Sequence, residues 1–111
     1  MKKERDPLYL IFILECIERI EKYMVEGREV FIASNMVQDA VLRNLHLLAD
    51  ASQFISRELK SNHKEVKWRH YAGLRNLLVH EYLGLDVRAV WAVIVFELPI
   101  LKEKIQKILN P

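Results

Sequence analysis

From Val37 to Leu59 apolar and small residues recur every three or four positions: Val37, Val41, Leu45, Leu48, Ser52, Ile55 and Leu59, joined by Leu42, Ala49 and Ala51. That spacing returns to one side of a 3.6-residue helix and does not alternate across a strand. The stripe outlasts one short helix, so the segment reads as the spine of a helical bundle. Only three Gly and three Pro in 111 residues suit long helices with few tight turns. No strand pattern competes: alternation never lasts, and no Asn-Gly or Asp-Gly hairpin signal occurs.

The flanking segments divide at recognisable stops. Asp6-Pro7 reads as a helix start, with Asp6 as N-cap and Pro7 at the first helical position. Leu10, Ile13, Leu14, Ile17, Ile20 and Met24 then follow at helical spacing, and Gly27 is a stop. The first helix is expected over about 7–25. A second helical region runs from near Glu29 to about Leu59, with Ser34 or Asn35 capping a break inside it. Ser61-Asn62-His63 is the clearest linker. A third helix runs from 65–68 to about Tyr82, Gly84 to Asp86 breaks it, and Asp86 caps a last helix from Val87 to about Leu109. Pro99 should kink or split that helix. The expectation is one all-α domain over 1–111, an up-and-down bundle of four to five helices.

Composition narrows the functional classes. A net charge of +2 is too small to argue nucleic-acid binding by itself. Lone Cys16 excludes an internal disulfide, and its neighbours Leu14, Ile17 and Ile20 suggest a buried thiol in a reducing compartment. No CxxC or HExxH pattern occurs, so neither a metal nor a cofactor is expected. Leu8 to Leu14 is too short for a signal peptide, and Ala89 to Phe96 falls far below the ~20 residues a spanning helix needs. A soluble cytoplasmic protein with no membrane partner is expected.

The chemistry concentrates in Arg75-Asn76-Leu77-Leu78-Val79-His80-Glu81-Tyr82. At about 100° per residue, Trp68, Tyr71, Ala72, Arg75, Leu78, Val79 and Tyr82 share one face, and Gly73, Leu74, Leu77 and His80 lie opposite. Such a helix is apolar nearly all round and should be central or at a subunit interface. Gly73 inside it could permit close approach of another backbone. A guanidinium in that setting needs an anion, from a carboxylate or a ligand. Arg75 and His80 diverge by about 140° on one helix. A symmetric dimer is the simplest way to bring paired Arg75, Asn76 and His80 into one cleft.

These residue types suit internal transesterification of RNA. His80 can take a proton from a 2′-hydroxyl or give one to the leaving 5′-oxygen. Arg75 can pair with the non-bridging phosphate oxygens as charge develops. Asn76 can hydrogen-bond phosphate or orient His80, and Tyr82 places a phenol close by. From Arg57 to Arg75, the cations Arg57, Lys60, Lys64, Lys67, Arg69 and Arg75 outnumber Glu58 and Glu65 by four. That surplus could guide a phosphate backbone, with Trp68 and Tyr71 as stacking surface. Structural roles compete: Arg75 pairing with Asp39 or Asp50, His80 capping a helix end, Trp68 and Tyr82 as core aromatics. His46, His63 and His70 read as surface or core residues.

Arg75-x4-His80-x-Tyr82 resembles the signature of HEPN-superfamily ribonucleases, specifically the HepT-like toxins. The resemblance covers nearly the whole chain. Asp6 to Leu10 with Ile17 to Ile20 is similar to the family's opening helix, and Gln38 to Leu45 to its second block. Trp68-Arg69 with Leu74 to Tyr82 matches the third, and Trp91 with Leu98-Pro99 the last helix. Ala49-Asp50-Ala51 stands where the family often has Gly-Glu-Ala, so the carboxylate is kept one methylene shorter. The resemblance implies a HEPN-type homodimer with the two motifs facing across a cleft. It implies a metal-independent endoribonuclease with Arg75 and His80 catalytic. It also implies a cognate nucleotidyltransferase antitoxin that blocks the toxin, in some systems by transferring AMP to the motif tyrosine, here Tyr82. The competing function is a non-catalytic helical module that binds nucleotide or a nucleotidyltransferase partner.

Overall fold

The long apolar stripe becomes the central helix of an all-helical bundle. The computed structural model describes the backbone of residues 2–81 and 86–111 and the side chains of residues 4–74 and 86–111. Its helices are α1 (Lys2–Tyr23), α2 (Arg28–Ala33), α3 (Asn35–Phe54), α4 (Arg57–Asn62), α5 (Trp68–Glu81), α6 (Val87–Ala92) and α7 (Leu98–Leu109), with a π-helical turn, Val93–Glu97, between the last two. Among the described residues there is no strand, and no helix is long and apolar enough to cross a membrane. The bundle's long members are α1, α3, α5 and the α6–α7 rod. The helices α2 and α4 are one-and-a-half-turn connectors.

Helix α3 packs against α1 on one side and α5 on the other, and α7 lies against α1. Its stripe supplies Val41, Leu45, Leu48, Ala49, Ala51 and Ser52 to the core. Leu10, Ile13, Cys16, Ile17 and Ile20 meet it from α1, and Leu98, Leu101 and Ile105 complete the core from α7. Each fully buried aliphatic of this kind stabilises the fold by about 1.5–3 kcal/mol relative to exposure. Burial also pushes the Cys16 thiol up to about 11, because a thiolate there would lose its hydration.

Caps fix the joints. Ser34 accepts from Val37 N at 3.2 Å and starts α3. Gln38 Nε2 donates to the carbonyls of Phe31 and Ile32, both at 2.9 Å, closing the end of α2. Gly27, at φ 91°, makes the left-handed turn before α2, a backbone geometry natural to glycine. Asp86 caps α6 as expected, accepting from Arg88 N at 3.0 Å.

Three expectations change. The first helix begins at Lys2, so Pro7 is internal and Asp6 is not its cap. Asp6 is instead buried and accepts from Ser56 N at 2.8 Å and Ser56 Oγ at 2.5 Å. The second helical region ends at Phe54 rather than Leu59, because Ser56 caps a separate α4 by accepting from Leu59 N at 3.1 Å. The last helix is indeed split, but the split precedes Pro99. Leu98 N reaches back five residues to Val93 O, and Pro99 enters at the start of α7, where its missing N–H costs least.

Replacing Asp6 by Ala strips the partners from a buried backbone N–H and a buried hydroxyl. We expect a loss of about 2–4 kcal/mol in unfolding free energy, at roughly 1–3 kcal/mol per orphaned group. Urea denaturation followed by far-UV circular dichroism measures it. Ser56→Ala should lose less, because the backbone N–H keeps Asp6.

Candidate functional site

Residues 75–81 of the motif occupy the second half of α5. Arg75, Asn76 and His80 are helical there, and their side chains lie outside the described residues. Tyr82 and Gly84 lie outside the described residues altogether. What the structure defines is the frame that carries the motif.

Three side chains seat α5. Trp68, Tyr71 and Leu74, at i, i+3 and i+6, are buried at 7%, 6% and 3% exposure, on a helix that packs against α3. Leu74 therefore belongs to the buried arc, not to the opposite side with Gly73 as the sequence suggested. The arc runs from Trp68 through Tyr71 to Leu74, and Ala72 sits half-buried at its edge. On the other side Arg69, His70 and Gly73 are exposed. Counted at about 100° per residue from these fixed points, position 75 falls beside Trp68 and Tyr71, and positions 76 and 80 fall with Arg69 and Gly73.

Polar contacts then hold the helix at three points. Trp68 Nε1 donates to the His63 carbonyl at 2.9 Å. Lys104 Nζ, from α7, donates to the Glu65 carbonyl at 2.6 Å and ties down the turn before α5. His70 Nε2 hydrogen-bonds Glu97 Oε1 on the π-helical turn. In that same turn before α5, Glu65 lies 3.2 Å from His63 Nδ1. Its carboxyl is held below the usual range, first by its own backbone N–H and then by His63.

Burial corrects the expected stacking surface. Neither Trp68 nor Tyr71 offers a free ring face to a base. The Tyr71 hydroxyl is raised above its ordinary value, mainly by burial and then by the charge of Glu97. The expected cations fare differently. Arg57, Lys64, Lys67 and Arg69 are exposed, and none forms an ion pair with a described residue.

The two candidate carboxylates on α3 separate in character. Asp39 is exposed. Asp50 lines a groove of about 370 Å³ between α1 and α3, with Leu8, Tyr9, Phe12, Leu47, Ala51 and Phe54. The sequence pattern missed Asn44 as a polar core residue. It is buried, its Nδ2 donates to the Ala40 carbonyl at 3.0 Å, and its Oδ1 has no partner among the described residues. Its position three residues after Val41 and four before Leu48 on the stripe was the available signal. Among the described residues no three His, Cys, Asp or Glu side chains cluster as a metal site.

Known proteins place this arrangement. Residues 13–108 match the family described as ribonuclease HepT-like. A "probable ribonuclease HepT" of Thermococcus cleftensis is 39% identical over 90% of this chain and 92% of its own length. A "putative RNase" of Caldanaerobacter subterraneus is 33% identical over 92% of each chain. A Methanocaldococcus jannaschii protein named "gamma-glutamylcyclotransferase and putative RNase" is 35% identical over 93% of this chain, which spans 47% of that longer protein. No solved structure gives a significant match.

Because Trp68 is a buried anchor, Trp68→Phe should lower stability by about 0.5–1.5 kcal/mol through loss of its hydrogen bond. Urea denaturation followed by far-UV circular dichroism measures the loss.

Proposed function

Because the chain belongs to the HepT-like ribonuclease family, we propose that it is an endoribonuclease that cleaves RNA by attack of a 2′-hydroxyl on the adjacent phosphodiester, without a metal ion. The observation that carries this reading is the family match over residues 13–108, which includes an intact Arg75-x4-His80-x-Tyr82 run. In the reaction the 2′-oxygen forms a bond to phosphorus and the 5′-oxygen leaves. His80 accepts the 2′-hydroxyl proton or supplies one to the leaving oxygen, a contribution of typically ~10²–10⁴-fold. Arg75 pairs with the non-bridging oxygens, where charge accumulates in the transition state. Asn76 binds phosphate or orients His80.

The site belongs to a homodimer in this reading. Arg75 and His80 lie about 140° apart on α5, so two chains across a twofold axis supply a complete set. Exposed apolar surface near α5 supports it. Val95, Phe96 and Ile100 are 40%, 70% and 51% exposed, on the segment whose Glu97 meets His70 of α5. Patches of that kind commonly mark association surfaces.

The cognate partner is a nucleotidyltransferase antitoxin. It would transfer AMP from a nucleoside triphosphate to the Tyr82 phenol, with pyrophosphate leaving. The added phosphate would repel an incoming RNA backbone.

Arg75→Ala and His80→Ala should each lower cleavage of single-stranded RNA by about 10²-fold or more, and wild-type activity should persist in EDTA. Gel analysis of an end-labelled oligonucleotide tests this. Wild-type rates in both variants would defeat the assignment, and RNA or nucleotide binding without any cleavage would favour a binding module. Co-expression with the nucleotidyltransferase should add whole AMP units to the intact mass, absent in Tyr82→Phe.

A further inference from the structure

Gly73 sits in the middle of a 14-residue helix, exposed, with nothing within 4 Å of the position a Cβ would take. Its φ is not in the left-handed region. Neither backbone geometry nor packing within the described chain therefore calls for glycine there, although glycine is among the poorest helix formers. Nothing among the described residues uses the vacant Cβ position, which leaves it open to an occupant from outside them. The room for another backbone that the sequence suggested at Gly73 is not filled by a described element of this chain.

The neighbourhood indicates what that occupant is. Arg69, Gly73, Asn76 and His80 stand at i, i+4, i+7 and i+11, a single stripe along α5. Arg69 and Gly73 are exposed. Arg69 has no ion-pair partner among the described residues, in contrast to Lys102, which pairs with Glu21, and Lys107, which pairs with Glu103. Exposed and likewise unpaired Lys64 and Lys67 precede the stripe. From position 69 to position 80 the helix rises about 16 Å, longer than a single phosphodiester. Cations at one end, a missing side chain in the middle and the proposed proton-transfer residue at the other end suit a polyanion laid along the helix.

We infer that this stripe is a substrate track. Arg69 binds a backbone phosphate of single-stranded RNA away from the scissile one, and Gly73 lets the sugar-phosphate chain lie against α5 as it runs toward position 80. Arg69 is thus a substrate-binding residue, and Gly73 a positioning residue that works by what it lacks. The inference rests on the reading of the chain as an RNA-cleaving protein, and it extends the site beyond the motif.

The experiment uses the full-length protein and a fluorescein-labelled 2′-O-methyl oligouridylate, which lacks the attacking hydroxyl and stays intact. Arg69→Ala should weaken its binding about tenfold and reduce the slope of log affinity against log salt by about 0.7, the value of one single-strand phosphate contact. Gly73→Ala should raise the melting temperature yet weaken binding, a combination that misfolding does not produce. Gly73→Glu should weaken binding further. Unchanged affinity and salt slope in Arg69→Ala would overturn the track. So would a change in sedimentation state in the Gly73 variants with RNA affinity intact, which would assign this face to a second copy of the chain. Cleavage of unmodified RNA is scored separately: Arg69-dependent binding by a wild-type protein that does not cleave would sink the proposed activity and leave the track standing.

Discussion

The fold turns on one buried carboxylate. Asp6, at 2% exposure, gathers the backbone N–H and the hydroxyl of Ser56, while the same Ser56 oxygen accepts from Leu59 N. Two helices are set by this relay. It pins the start of α1 to the end of α3, fifty residues away. It also caps α4 and so decides where the chain leaves the α3 axis. A buried polar group is costly unless it is hydrogen-bonded, and here a capped helix start supplies the partners. The chain's exit from α3 is set by this joint. From there α4 and the turn through His63 and Glu65 bring the chain to Trp68, whose indole closes on the His63 carbonyl.

A second constraint acts from the other end of the chain. Pro99 cannot donate a backbone hydrogen bond, and the preceding turn widens into a π-helix over Val93–Glu97. A widened turn shifts the register of the side chains it carries. Glu97 lies on that turn and meets His70 on α5. Lys104, two turns further along the rod, holds the Glu65 carbonyl. Helix α5 is thus fixed from the N-terminal joint through Trp68 and from the C-terminal rod through His70 and the Glu65 turn. Preorganisation of this kind is what positional catalysis requires of a scaffold.

Much of this was readable from residues alone, for identifiable reasons. The stripe from Val37 to Leu59 predicted α3 because periodicity reports burial directly. Ser34 and Asp86 announced caps because both act locally, on N–H groups two or three residues ahead. Asp6 looked like the same device and was not. Asp-Pro is a local signature, but the Ser56 partner lies fifty residues away and no local pattern encodes it. Ser56 escaped notice as a break because Ile55 and Leu59 continue the apolar spacing across it. Leu74 was placed on the wrong side because nearly every position of α5 is apolar, so the pattern has little contrast. Trp68 and Tyr71 looked like stacking surface because ring chemistry is the same in a core and in a binding site; only burial separates the uses. The motif residues Arg75, Asn76, His80 and Tyr82 were legible as chemistry and as family signature. For Arg75, Asn76 and His80 the placement around the helix was legible only as a register, which Trp68, Tyr71, Leu74, Arg69 and Gly73 now anchor; Tyr82 lies outside the described residues.

That anchoring divides α5 into two faces with opposite physical requirements. The arc through Trp68, Tyr71 and Leu74 gains stability from every atom it hides, and large side chains there are favoured. At Arg69 and Gly73 the other side is exposed among the described residues, and it keeps one position empty at the expense of helix propensity. A helix serving only as scaffold would fill that position with alanine or a longer helix former, since nothing among the described residues stands within 4 Å. Glycine there, on the same stripe as positions 76 and 80, is the feature on which the proposed substrate track rests. From Trp68 to Leu74 the buried apolar side chains of α5 thus gather on one side, and Arg69 and Gly73 stand on the exposed side.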